Sequence, residues 1–134
     1  MGDQMPFWVV WLQSLPLFIS EGEETEPDSF LVVHAGLAPG ISPQDTDPHI
    51  LTHLRTWDPV DERLGDENHP AWYTFYRESR TIIFGHWAAG GVVMRQNAIG
   101  LDSGCVYGGS LTALSWPDRI LYQFPAQSIY HHPQ

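Results

Sequence analysis

Two short apolar runs constrain this chain more than anything else in it: residues 29–33 (SFLVV) and 81–84 (TIIF). Both are brief and contain β-branched residues, which reads as buried strand. The first runs straight into His34-Ala35-Gly36-Leu37; the second delivers Gly85-His86 and then Trp87-Ala88-Ala89-Gly90-Gly91. Both histidines therefore share one local grammar: strand, imidazole, small residues. A strand end fixes the backbone, and small neighbours leave room beside the ring. In open α/β sheets ligands bind beyond the carboxyl ends of the strands, and neutral imidazole is the commonest metal-binding side chain. Taken singly, each histidine reads more readily as one that hydrogen-bonds a turn; the matched contexts weaken that reading without settling it.

Around these strands the chain reads as mixed structure. Asp3 is placed to cap a helix in which Trp8, Trp11, Leu12 and Leu15 share a face, ended by residues 14–16 (SLP). Asp47-Pro48 is a good helix start, and HILTHLRTW predicts a short helix ending near Trp57. Residues 58–70 read as a polar loop, 71–78 as a helical turn and 98–101 as a strand. Residues 102–109 (DSGCVYGG) form a glycine-rich loop; 111–116 and 119–124 pair through Pro117-Asp118. Residues 126–134 are expected to fray.

The 134 residues are within the size range of one domain, and six Trp, six Phe and five Tyr argue for a packed core. The apolar stretch 6–19 is interrupted by Gln13, Ser14 and Pro16, too short to span a bilayer and without the marks of a signal peptide. The expectation is a cytoplasmic protein, with an organellar lumen as the alternative. Cys105 is the sole cysteine, which excludes an internal disulfide and a cysteine-based zinc cluster. It reads as a small buried residue rather than a nucleophile. The net charge is −10, all six basic residues are Arg, and there is no Lys. Without a basic patch, sequence-independent nucleic-acid binding is not expected. An acidic protein can still act on phosphate esters when metal ions supply positive charge locally. The acids cluster in 21–28 and 58–67, both read as solvated loops.

The blocks LVVHAGLAPG, TIIFGHWAAGG and AIGLDSGCVYGGSLTAL, in that order, resemble the calcineurin-like phosphoesterases, specifically the symmetrical bis(5'-nucleosyl)-tetraphosphatase and ApaH-like branch. The likeness extends over nearly all of residues 6–125. It implies an α/β (α+β) fold, the C-terminal half of a β-sandwich flanked by helices, incomplete over residues 1–134. It also implies that His34 and His86 bind the same ion of a two-metal pair of Mn, Zn, Fe or Mg. Arg55 matches a position where the family often carries a phosphate-facing arginine, with a salt bridge to nearby acids as the alternative. Tyr107 lines the pocket or packs as an ordinary aromatic. The implied substrates are phosphorylated small molecules such as nucleotide polyphosphates, polyphosphate, or phosphoprotein.

The family's GD-x-HG, GD-x-x-x-RG and GNHE blocks do not occur here, and no catalytic residue is assigned. Gly2-Asp3 is followed by Gln-Met-Pro, and Asn68-His69 follows the first histidine block inside an acidic loop. Two imidazoles are fewer than the three or four protein ligands of a good zinc site. Weak metal binding and little hydrolysis are expected of this chain alone. The alternative is a non-catalytic partner-binding or regulatory protein, with a protein partner covering the incomplete fold. A third reading, a histidine-based metal module outside the phosphatases, requires further ligands among His49, His53, His131 and His132. His49 and His53 share a helix face at i, i+4 spacing, but without the glutamate of a zincin motif they read rather as surface histidines.

Overall fold

The computed structural model describes residues 6–132. A five-stranded sheet carries the molecule, in the order β1 (Phe18–Glu21), β2 (Phe30–Val33), β5 (Thr81–Phe84), β7 (Ala98–Gly100), β6 (Val93–Met94). Strands β2, β5 and β7 run parallel; β1 and β6 are antiparallel edges. A two-residue ribbon, β3 (Trp57–Asp58) with β4 (Arg63–Leu64), and a hairpin, β8 (Ser110–Ser115) with β9 (Ile120–Pro125), complete the β structure. Both expected strands at 29–33 and 81–84 are present, side by side and in parallel register.

One face of the sheet makes the core. Leu31, Val33, Ile82, Phe84 and Ala98 pack with Leu51, Leu54, Trp57, Trp72 and Tyr76 from the excursion between β2 and β5. Trp72 is fully buried, edge-on to Phe84 at 5.0 Å between ring centroids. A methyl group at Gly36 would lie 2.6 Å from the Trp72 ring, so the turn after His34 closes only because that position lacks a side chain.

The helix α2 spans Pro48–His53, with Asp47 accepting from the His49 amide at 2.7 Å and Pro48 in the first turn, as its sequence predicts. It stops at His53 rather than near Trp57. Leu54 turns extended and is completely buried, and Thr56 and Trp57 pair with the 70–71 backbone instead. Tertiary pairing of a β-branched and an aromatic residue overrides the helical pattern.

Two further differences have local causes. Strand β1 was not expected, because Phe18-Ile19-Ser20-Glu21 acquires strand geometry only by pairing with β2. The acidic stretch 58–67 is no simple solvated loop: Asp58 is buried, accepting from the Val60 and Asp61 amides at 3.0 and 3.2 Å. The tail, as far as it is described, makes backbone contacts with the glycine-rich loop. Tyr130 and His131 amides both donate to the Val106 carbonyl at 2.9 Å, and Ile129 lies against Gly108.

The helix α1 (Phe7–Gln13) buries no residue; Trp8 is 68% exposed and Trp11 47%. Its expected cap, Asp3, lies outside the described residues, as do Pro133 and Gln134. No helix among the described residues is long and apolar enough to cross a membrane.

Candidate phosphate and metal site at the carboxyl edge of the sheet

Because β2 and β5 are parallel neighbours, whatever follows each of them emerges at the same edge. The Gly85 amide donates to the His34 carbonyl at 2.9 Å, which continues the strand pairing one residue past β2. His34 and His86 therefore meet, with Nε2 of His34 3.2 Å from Nδ1 of His86. The Ala35 amide donates to Leu51 O of α2 at 2.9 Å, which fixes the backbone beside His34.

His86 occupies an unusual conformation. Its φ is 69°, and the Trp87 amide bonds back to the Gly85 carbonyl at 2.8 Å, so His86 is the centre of a γ-turn. The positive-φ form of that turn is rare and strained, and a left-handed β-carbon-bearing residue is uncommon. Strain of this kind collects at functional sites. The imidazole is held below its ordinary value of 6.5, first by burial and then by the neighbouring His34, Arg55 and His53, against a hydrogen bond with the His53 backbone. A neutral ring with a free lone pair is the form that binds metal.

The donor geometry suits a shared ion. Two nitrogens each about 2.0–2.1 Å from one ion stand about 2.9 Å apart at an octahedral right angle and about 3.3 Å at the tetrahedral angle. The 3.2 Å separation lies between them. Among the described residues no group of three or more His, Cys, Asp or Glu side chains surrounds a common point, so this chain offers two ligands rather than a full set.

Beside the histidines opens a cleft of about 520 Å³ lined by Arg55, His86, Trp87, Ser103, Gly104 and Tyr107. Arg55 and Tyr107, far apart in sequence, thus reach one cavity with His86. Arg55 makes no ion pair among the described residues. Tyr107 is 44% exposed on the cleft wall rather than packed inside. The glycine-rich loop wraps the far side: Gly104 and Gly108 have φ of 72° and 89°, and Asp102 accepts from the Gly104 amide at 3.0 Å. Cys105 is half-buried, not enclosed as its sequence context suggested.

Asn68 and His69 lie elsewhere: His69, in the loop after β4, is 2.8 Å from Asp66 and 3.5 Å from Asp58. Sequence reasoning passed over His53 as a neighbour of the site. Its ring centroid is 6.2 Å from that of His86 and 4.1 Å from that of His49. The i, i+4 spacing signalled the second contact; only the fold reveals the first.

The mixed α/β architecture is of the calcineurin-like fold class, as its structural neighbour shows. A crystal structure of a proposed diadenosine tetraphosphatase superposes with a TM-score of 0.76 at 30% identity, covering 92% of this chain and 57% of that one. The chain's curated homologues are symmetrical bis(5'-nucleosyl)-tetraphosphatases, matched over part of its length. It is 42% identical over 67 residues to the one from Vibrio parahaemolyticus serotype O3:K6, covering 48% of this chain and 25% of the relative. With the one from Bordetella pertussis it is 54% identical over 43 residues, 32% of this chain and 16% of the relative. The chain thus spans a quarter or less of these curated relatives. No family model matches it.

Proposed function

We propose that this chain carries the two-histidine part of the metal site and the phosphate cleft of a phosphoesterase acting on nucleotide polyphosphates. The observation that carries the reading is the approach of His34 Nε2 and His86 Nδ1 to 3.2 Å at the mouth of a cleft that also holds Arg55 and Tyr107. His34 and His86 hold one divalent ion; when bound, such an ion polarises a phosphoryl oxygen and lowers the pKa of its water. Arg55, a fixed charge in an acidic chain, presents a planar fork to the phosphate oxygens. Tyr107 and Trp87 offer aromatic surface to a nucleoside. His86 remains neutral at physiological pH and so stays available as a ligand.

With two protein ligands, the ion is held weakly and hydrolysis by this chain alone is slow. The test is cleavage of diadenosine tetraphosphate by the purified chain with added Mn²⁺, alongside His34→Ala and His86→Ala. Slow, Mn²⁺-dependent turnover that both variants abolish supports the reading. Turnover unchanged in both variants contradicts the assignment, and brisk turnover abolished by them contradicts only the slowness.

A second reading is favoured by a separate observation. Phe7, Trp8, Trp11 and Leu12 of α1 are all exposed, and so are Leu111, Tyr122 and Phe124 on one face of the hairpin. Apolar surface of this extent marks contact with another polypeptide, which suits a protein that binds a partner. Sedimentation of the purified chain separates the readings: a monodisperse monomer speaks against obligate partnering.

A further inference from the structure

We propose that His49 and His53 form a second divalent-cation site, on the exposed side of α2, for borderline ions such as Zn²⁺, Ni²⁺ or Cu²⁺. Residues four apart on a helix are neighbours on its surface, and paired imidazoles at that spacing are a recurrent metal-binding arrangement. Here the ring centroids lie 4.1 Å apart with planes 29° from parallel, close enough for both rings to turn about their Cβ–Cγ bonds and bring in-plane nitrogens to one ion. Both residues are exposed, so an ion reaches them from solvent.

The hydrogen bonds around His53 fix which nitrogen is free. Its Nδ1 lies 2.8 Å from the Thr52 hydroxyl and 3.2 Å from the His49 carbonyl. The Thr52 hydroxyl also lies 2.8 Å from the Pro48 carbonyl. With its proton given there, both neighbours of Nδ1 are acceptors, which favours the tautomer with hydrogen on Nδ1 and a free lone pair on Nε2. A ligating histidine that donates its other N–H to a backbone carbonyl is the usual supporting arrangement at metal sites. Asp47, capping the His49 amide, adds a carboxylate to the same end of the helix. Solvent fills the remaining coordination positions.

The site has a consequence for the cleft. His53 and His86 are 6.2 Å apart between ring centroids, so the four imidazoles run in sequence as His49, His53, His86, His34. An ion on the first pair places positive charge near His86, which lines the phosphate cleft, in a chain with a net charge of −10. The proposal stands independently of the His34–His86 assignment.

The experiment is Ni²⁺ titration by calorimetry of the full chain carrying His34→Ala and His86→Ala, which removes the other imidazole pair. One saturable Ni²⁺ site is expected. Adding His49→Ala or His53→Ala, both tolerable on an exposed helix surface, abolishes it. Adding Thr52→Val instead weakens it about tenfold with both imidazoles intact. A chain without any Ni²⁺ binding in the starting background overturns the proposal. So does an isotherm unchanged by both His49→Ala and His53→Ala, which assigns the ion to other histidines.

Discussion

Nε2 of His34 and Nδ1 of His86 face each other across 3.2 Å although 52 residues separate them in sequence. Parallel pairing of β2 with β5 brings them to one edge, and the strained turn at His86 aims the second ring at the first. The arrangement predicts a pH signature for folding. His86 is held below 6.5 chiefly by burial, so the unfolded chain takes up a proton first as pH falls from that value. Its contribution is neutral above the unfolded value and becomes a loss of stability as pH falls toward the folded one. Urea midpoints measured from pH 8 to 5 should decline less steeply in His86→Asn than in the parent chain.

Asp58 gives the opposite residue type and a second window. Its carboxylate is depressed by the Val60 and Asp61 amides first, with His69 and Arg63 adding attraction against burial. A depressed acid contributes stability that is complete above the unfolded carboxylate pKa and is lost as pH falls through the folded value. Asp58→Ala should lower Tm at pH 7 and flatten the acid limb of the stability curve below about pH 4.

Packing of Gly36 against Trp72 supplies a third prediction. Trp72→Ala should destabilise by about 3–5 kcal/mol as a core cavity. Gly36→Ala should cost about 1–3 kcal/mol as overpacking, because its methyl group would meet the indole at 2.6 Å. The two share one space, so the cost of Gly36→Ala should shrink in a Trp72→Leu background. Denaturant melts of the four chains measure that coupling.

Arg55 is exposed and makes no ion pair among the described residues, so its removal should spare the fold. Arg55→Ala should leave stability within about 0.5 kcal/mol while weakening binding of inorganic tripolyphosphate about tenfold. A charge-assisted bidentate hydrogen bond is worth roughly that much. Parallel melting curves and calorimetric titrations check both halves of the expectation.

Much of this architecture was legible in the residues. Two β-branched runs, each delivering a histidine, foretold the sheet edge, and Asp47-Pro48 foretold the start of α2. What escaped was whatever depends on a distant partner. Phe18–Glu21 is a strand only because β2 lies beside it. Thr56 and Trp57 leave the helical pattern to pair with residues 70–71. Asp58 looked like one acid in a solvated run, yet two backbone amides draw it inward. At the site, the resemblance of the sequence blocks nominated His34, His86, Arg55 and Tyr107, but their distances to one cleft, and His53 beside His86, belong to the tertiary fold.

The most direct test of the central claim is a crystal structure grown with Zn²⁺, with anomalous scattering recorded at the zinc edge. The geometry predicts a peak between the rings, about 2.0–2.1 Å from both His34 Nε2 and His86 Nδ1. Zinc bound elsewhere on the chain, with the space between these two nitrogens empty, would contradict it.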